Sequence, residues 1–182
     1  FFAPAYHGAM RHAGPVRREI GIHSIFNLLG PMANPAGATR QVIGVGRGVL
    51  TETFAQVLGN LGSVHVLIVH GSDGLDELTL TGSSHVTELR DGKIKSWEVH
   101  PADLDLTMCR PGDISGAEQP KDRAKQIRDI LAGQPGARRE ITLLNAAAAL
   151  VVGGHARDLK EGIDQAAGAI DTGAARDVLN SL

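Results

Sequence analysis

The middle of the chain shows short apolar runs on either side of an amphipathic helical pattern. An apolar run over residues 41–45 predicts a strand, and apolar side chains at helical spacing predict a helix over 50–61 that Thr51 caps. The aliphatic run over 64–69 predicts a second strand that is apolar on both faces, as in covered parallel sheets. Residues 41–70 therefore predict a β-α-β unit, and ligands in such folds bind at the carboxyl ends of the strands.

The patterns on either side of this unit extend the prediction to a mixed α/β fold class. Alternating residues around Asp91-Gly92 predict a hairpin over 85–99. Further helices are predicted over residues 8–20 around Pro15, from a Ser24 cap to Gly30-Pro31, and over 120–132, 140–152, 158–171 and 173–181. The side chains of helix 120–132 that are expected to face inward are Ala124, Ile127, Ile130 and Leu131.

Charge and cysteine content narrow the function classes. The 182 residues carry 18 Lys and Arg against 20 Asp and Glu, so a formal charge of −2 argues against a bulk nucleic-acid or membrane binder. The single cysteine, Cys109, excludes an intrachain disulfide and is typical of a reducing compartment. No apolar run approaches the ~20 residues of a membrane span, and residues 1–7 lack signal-peptide features. We therefore expect a cytoplasmic protein.

The strongest local signal for chemistry is the acidic turn, residues 73–77 (DGLDE), which follows the second predicted strand. Its carboxylates repel one another unless they are solvated or neutralised by a cation. Hard oxygen ligands on a loop that contains glycine suit Mg²⁺, which keeps several water ligands and whose coordination is completed by substrate phosphates. From the local pattern alone, a magnesium site and a solvated acidic turn both stay open.

Three other local signals are less specific. Arg17-Arg18 suits bidentate binding of a carboxylate and equally suits a solvent-facing basic helix. The glycine-rich stretch 44–48 lacks the third glycine of a dinucleotide loop, because Val49 follows it, and it predicts a tight strand-to-helix turn. Scattered histidines and one cysteine predict no tetrahedral zinc site.

Several motifs become informative as a set. They are FAPAYHGAMRH at residues 2–12, PVRREIG at 15–21, FNLLGP at 26–31 with NP at 34–35, DGLDE at 73–77 and LNAAAAL at 144–150. Together they resemble the C-terminal half of the anthranilate phosphoribosyltransferase family, in that family's order and spacing over residues 2 to 180. The resemblance implies a nucleoside phosphorylase/phosphoribosyltransferase-type α/β domain over residues 31–182. Residues 1–30 are then expected to be a helical segment of a small α domain.

The resemblance also implies a reaction. In that family the amine of anthranilate attacks C1 of phosphoribosyl pyrophosphate, and pyrophosphate leaves, in the tryptophan branch of amino-acid biosynthesis. Positive charge builds on the ribose and negative charge on the leaving group, by analogy with glycosyl transfer generally. Mg²⁺ is the implied cofactor, and a homodimer is implied for the full-length protein.

The family's functional positions map onto this sequence by motif. Arg17 stands where the family's arginine contacts anthranilate, and Ala3, Pro4 and His7 fall where the family lines an anthranilate channel. Asp76 and Glu77 stand at the metal-binding pair.

The family's glycine-rich Gly-Thr-Gly-Gly-Asp loop and its Lys-His-Gly-Asn segment, which bind pyrophosphate and phosphate, lie upstream of Phe1 by this resemblance. We therefore expect these 182 residues alone to be inactive.

Two alternatives stay open. A pyrimidine nucleoside phosphorylase-like enzyme shares the architecture, although the Asp76-Glu77 pair and the Arg17 region argue against it. A non-catalytic nucleic-acid-binding relative predicts a surplus of exposed Lys and Arg and a steep salt dependence, which the net charge of −2 does not favour.

Overall fold

The computed structural model describes residues 6, 8, 10–22 and 28–182, without the side chains of Met10 and Arg11. The chain divides into two compact units, Phe1–Thr39 and Arg40–Leu182. The domain boundary expected between residues 30 and 31 stays a prediction.

The described part of the first unit contains two helices, α1 (Met10–Ile20) and α2 (Leu29–Met32). Pro15 lies inside α1, which continues through it. Helix α2 runs two residues beyond Gly30, so the predicted end at Gly30-Pro31 was wrong, because proline is tolerated in the first turn of a helix. The predicted Ser24 cap lies outside the described residues.

The second unit contains a four-stranded sheet and several helices. Its strands are β1 (Arg40–Gly44), β2 (His65–Gly71), β3 (Ser84–Arg90) and β4 (Lys93–Val99). Its helices are α3 (Thr51–Asn60), α4 (Pro111–Ile114), α5 (Pro120–Leu131), α6 (Ala137–Gly153), α7 (Leu159–Asp171) and α8 (Ala174–Ser181), with 3₁₀ turns at Gly48–Leu50 and Pro101–Leu104.

The sheet order is β1-β2-β3-β4, with β1 parallel to β2 and the other neighbours antiparallel. Helix α3 connects β1 to β2, which confirms the predicted β-α-β unit and the α/β class. The predicted hairpin is β3-β4, and its turn residues Asp91 and Gly92 have φ of 50° and 76°, the left-handed values of a tight hairpin turn.

The two faces of the sheet pack against different helices because side chains alternate along a strand. Leu67 and Val69 of β2 join the main core with α6 and α7. Val66 and Ile68 are buried on the opposite face, where α3 covers β2 and β3. A β-carbon on Gly162 would lie 2.8 Å from the Ala147 Cα, so α6 and α7 touch backbone to backbone there.

Two sequence predictions for the helices were wrong. Thr51 does not cap α3: it is the first helical residue, and its hydroxyl donates to the Gly48 carbonyl of the preceding 3₁₀ turn. Ile127, expected to face inward, is 52% exposed, since α5 is only partly covered by its neighbours. In the described part of the chain, no helix combines the length and apolarity needed to cross a membrane.

Candidate active-site turn

The acidic turn follows β2 at the carboxyl end of the parallel strands, as the sequence predicted. Backbone hydrogen bonds close the loop upon itself, from the Gly71 amide to the Leu75 carbonyl (2.8 Å) and from the Ser72 amide to the Ser83 carbonyl (2.9 Å). The loop is therefore ordered by its own backbone hydrogen bonds and leads directly into β3.

The Asp73 carboxylate is hydrogen-bonded within this loop. Its carboxylate accepts hydrogen bonds from the Thr79 hydroxyl (2.7 Å), the Thr81 hydroxyl and the Leu75 amide (3.1 Å). Burial acts to raise the pKa of Asp73, but these hydrogen bonds stabilise the charged form and lower the pKa overall. Asp73 thus holds the loop together, which leaves Asp76 and Glu77 as the acidic pair available to a ligand.

Contacts between the ends of β1 and β2 place this pair. A β-carbon on Gly44, the last residue of β1, would lie 1.6 Å from the Asp76 carbonyl oxygen, so the turn packs against bare backbone. His70 joins the same two loops, because its Nδ1 lies 2.8 Å from the Val45 carbonyl oxygen. The stretch 44–48 is the tight strand-to-helix turn that the sequence predicted.

The far side of the turn is held by helix α6. The Asn145 side-chain amide accepts a hydrogen bond from the Leu78 amide (3.0 Å) and donates one to the Leu78 carbonyl (2.9 Å). Leu78 directly follows the acidic pair, so the pair lies between two anchored points.

Asp76 and Glu77 themselves are exposed, and neither side chain has a hydrogen-bond or ion-pair partner among the described residues. Partial desolvation and then repulsion from Asp76 raise the pKa of Glu77. A bound cation would relieve that repulsion, and two carboxylates are hard oxygen ligands, so the donor set fits Mg²⁺.

Across the described ranges, His, Cys, Asp and Glu form no cluster of three that could hold a metal ion. A magnesium ion on the acidic pair would therefore need water and substrate oxygens to complete its coordination.

The other predicted site residues lie in the first unit. Arg17 is half-buried near the end of α1, and its carbonyl accepts a hydrogen bond from the Gly21 amide (3.1 Å). Ala3, Pro4 and His7 lie outside the described residues. Their roles toward anthranilate stay predictions.

Sequence reasoning missed three residues that shape the site: Gly44, Asp73 as an internal acceptor, and Asn145. A weak signal for Asn145 was present, because one amide on an otherwise apolar helix face needs a partner when it is buried. The Thr79 and Thr81 hydroxyls that bind Asp73 carried a similar signal.

The family model for the glycosyl transferase family, a/b domain, matches residues 1–176. Among curated relatives, an anthranilate phosphoribosyltransferase of Bradyrhizobium diazoefficiens is 49% identical over 181 residues, which are 100% of this chain and 53% of the relative. The chain thus spans about half the length of the curated relatives it matches.

Solved structures of anthranilate phosphoribosyltransferases are similar to this chain in fold. The anthranilate phosphoribosyltransferase from Thermus thermophilus is 36% identical with a TM-score of 0.87, over 96% of this chain and 51% of that one. A variant of the Saccharomyces cerevisiae enzyme with Mg bound is 25% identical with a TM-score of 0.83, over 96% of this chain and 51% of that one. The sheet, the acidic turn and the family match lead to one conclusion: this chain belongs to the glycosyl transferase family and carries residues of its a/b domain.

Proposed function

We propose that the full-length protein containing this chain is an anthranilate phosphoribosyltransferase, which transfers phosphoribosyl from phosphoribosyl pyrophosphate to the amine of anthranilate. The observation that carries the proposal is the Asp76-Glu77 pair, which has no side-chain partner in the described part of the chain and is held by anchored backbone at the carboxyl end of β2. The relatives named above, which bear this activity in their names, support it.

The acidic pair is proposed to hold Mg²⁺ beside the pyrophosphate. When bound there, the ion would supply Lewis-acid stabilisation of negative charge on the leaving pyrophosphate. The chain would contribute two adjacent carboxylates on a backbone that the Gly44 contact holds on one side and Asn145 holds on the other.

Arg17 is proposed to bind the carboxylate of anthranilate. A guanidinium can form two parallel hydrogen bonds with a carboxylate, which fixes the orientation of the aromatic ring as well as its position. The amine of anthranilate is neutral at pH 7, so it needs no strong base before it attacks, and positioning supplies much of the rate enhancement. Ala3, Pro4 and His7 are proposed to line the path of anthranilate to this position.

The test is an assay of the purified full-length protein with anthranilate, phosphoribosyl pyrophosphate and Mg²⁺, which follows the loss of anthranilate fluorescence. Turnover that requires both substrates and the metal supports the proposal. Phosphorolysis of uridine or thymidine without anthranilate turnover would instead establish the pyrimidine nucleoside phosphorylase alternative. Salt-sensitive DNA binding without any turnover would establish the nucleic-acid-binding alternative.

The remaining properties belong to the full-length protein. The resemblance supports a homodimer, and the single cysteine supports a cytoplasmic location. Sedimentation of the full-length protein would test the dimer, and cell fractionation would test the compartment.

A further inference from the structure

Asn145 lies on helix α6, and its side-chain amide contacts backbone 67 residues earlier in the chain. The Leu78 amide donates to Asn145 Oδ1 at 3.0 Å, and Asn145 Nδ2 donates to the Leu78 carbonyl at 2.9 Å. The same Nδ2 group also donates to the Ile141 carbonyl at 3.1 Å, which ties the side chain to its own helix. Asn145 therefore pairs with both backbone groups of Leu78, as a neighbouring strand would.

The Leu78 backbone depends on this pairing. Leu78 is fully buried, and among the described residues Asn145 is the hydrogen-bond partner of both its amide and its carbonyl. A buried backbone group that loses its partner costs free energy comparable to a lost hydrogen bond, so removal of Asn145 should destabilise this orientation of the Leu78 backbone.

The Leu78 amide nitrogen is half of the peptide bond that joins Leu78 to Glu77. Because a peptide unit is planar, a hydrogen bond that orients the Leu78 amide also orients the carbonyl side of Glu77. The Glu77 side chain has no partner of its own among the described residues, so its backbone alone determines where the side chain starts and which region the carboxylate can reach.

We propose that Asn145 is a positioning residue for the acidic pair: by holding both backbone groups of Leu78, it fixes the backbone from which the Glu77 carboxylate projects. This inference rests on the proposed function, since it takes the acidic pair to be the magnesium site. Residues that orient metal ligands from outside the coordination sphere change metal affinity or activity by about 10–100-fold when they are removed.

The experiment compares Asn145→Ala with the wild-type full-length protein in three measurements. They are Mn²⁺ titration in the presence of phosphoribosyl pyrophosphate, followed by electron paramagnetic resonance; the KM values for both substrates; and hydrogen exchange at the Leu78 amide. We expect a rise of about tenfold or more in the Mn²⁺ dissociation constant and in KM for phosphoribosyl pyrophosphate. The KM for anthranilate should stay near that of the wild type, and the Leu78 amide should exchange faster.

Two further variants separate positioning from folding. Asn145→Asp keeps an acceptor for the Leu78 amide but, when ionised, cannot donate to the Leu78 carbonyl, so its metal affinity should lie between those of the wild type and Asn145→Ala. Asn145→Asp also tests the proposal if Asn145→Ala does not fold. Arg40→Met is the matched control, because Arg40 Nη1 donates to the Val152 carbonyl (2.8 Å) at the other end of α6. It should lower stability without changing metal affinity.

The outcomes are distinct. If Asn145→Ala or Asn145→Asp loses stability but binds Mn²⁺ as the wild type does, Asn145 is only structural and the inference is wrong. If the wild type turns over no anthranilate, yet its Mn²⁺ affinity falls in the Asn145 variants, the proposed function fails and the positioning role stands.

Discussion

Asp76 and Gly44 are in direct backbone contact across the carboxyl edge of the sheet, with no room for a methyl group between them. The contact joins the end of β1 to the turn after β2, which are separate in sequence. The candidate metal pair therefore depends on a residue that has no side chain at all.

Gly44→Ala should destabilise the protein and displace the acidic turn. The new β-carbon would fall inside the Asp76 carbonyl group, and overpacking of this kind costs about 1–3 kcal/mol. Thermal unfolding of the full-length protein measures the loss. Gly46→Ala is the matched control, since a β-carbon there meets nothing within 4 Å. Equal stability of the two variants would show that the turn does not pack on Gly44 as described.

Asp76→Asn and Glu77→Gln should each weaken the use of phosphoribosyl pyrophosphate and Mg²⁺. Each change keeps the side-chain volume and removes one anionic ligand, so we expect the apparent metal constant to rise by about tenfold or more. Initial rates over a Mg²⁺ series measure it. Glu118→Gln, an exposed carboxylate on another loop, is the control. Unchanged metal dependence in both acidic variants would remove these residues from the site.

Arg17→Ala should raise the KM for anthranilate far more than that for phosphoribosyl pyrophosphate. A hydrogen bond to a charged group contributes about 1.5–3 kcal/mol, which corresponds to about 10–150-fold in binding. Steady-state kinetics with each substrate varied in turn provide the measurement. Arg18→Ala is the control, because Arg18 is the exposed neighbour of Arg17. A larger rise in the KM for phosphoribosyl pyrophosphate than in the KM for anthranilate would contradict the proposed contact between Arg17 and anthranilate.

The buried ion-pair group around Glu88 should make stability depend on pH. Glu88 Oε1 lies 2.8 Å from His65 Nε2, and its Oε2 lies 2.8 Å from Lys95 Nζ. Burial acts to raise the pKa of Glu88, but hydrogen bonds from Lys95 and His65 outweigh it, so the pKa is lowered from 4.5. Because the pKa of Glu88 is lower in the folded state than in the unfolded state, its ionised carboxylate stabilises the fold fully at pH values above the unfolded-state pKa. This stabilisation is lost as the pH falls through the folded-state pKa.

Hydrogen bonds to a charged group contribute about 1.5–3 kcal/mol, and Glu88→Ala leaves Lys95 with a side chain that is 69% exposed, so the free energy of unfolding should fall by about 1.5–3 kcal/mol at pH 7. The difference from the wild type should shrink as the pH falls below 4.5, in urea unfolding experiments at a series of pH values. Glu98→Ala, which removes a more exposed carboxylate paired with His85, should cost much less. A difference between Glu88→Ala and the wild type that does not change with pH would contradict the ion-pair assignment.

Much of the fold followed from local pattern. The aliphatic run that became β2, the Asp91-Gly92 turn and the small-residue helix α6 were all predicted from spacing and turn chemistry within a few residues. The acidic turn was predicted at the correct end of its strand for the same reason. The errors at Thr51 and Ile127 occurred where neighbouring elements decide the outcome.

Residues that are close along the chain were enough to predict the succession of the main strands and helices and the chemical character of the acidic turn. Three features emerge only from the folded chain: Asp73 accepts hydrogen bonds within its own loop, Gly44 makes room for Asp76, and Asn145 pairs with Leu78. These features depend on distances between segments that pack together, because such segments supply the hydrogen-bond partners and the free volume, and a one-dimensional pattern does not contain those distances.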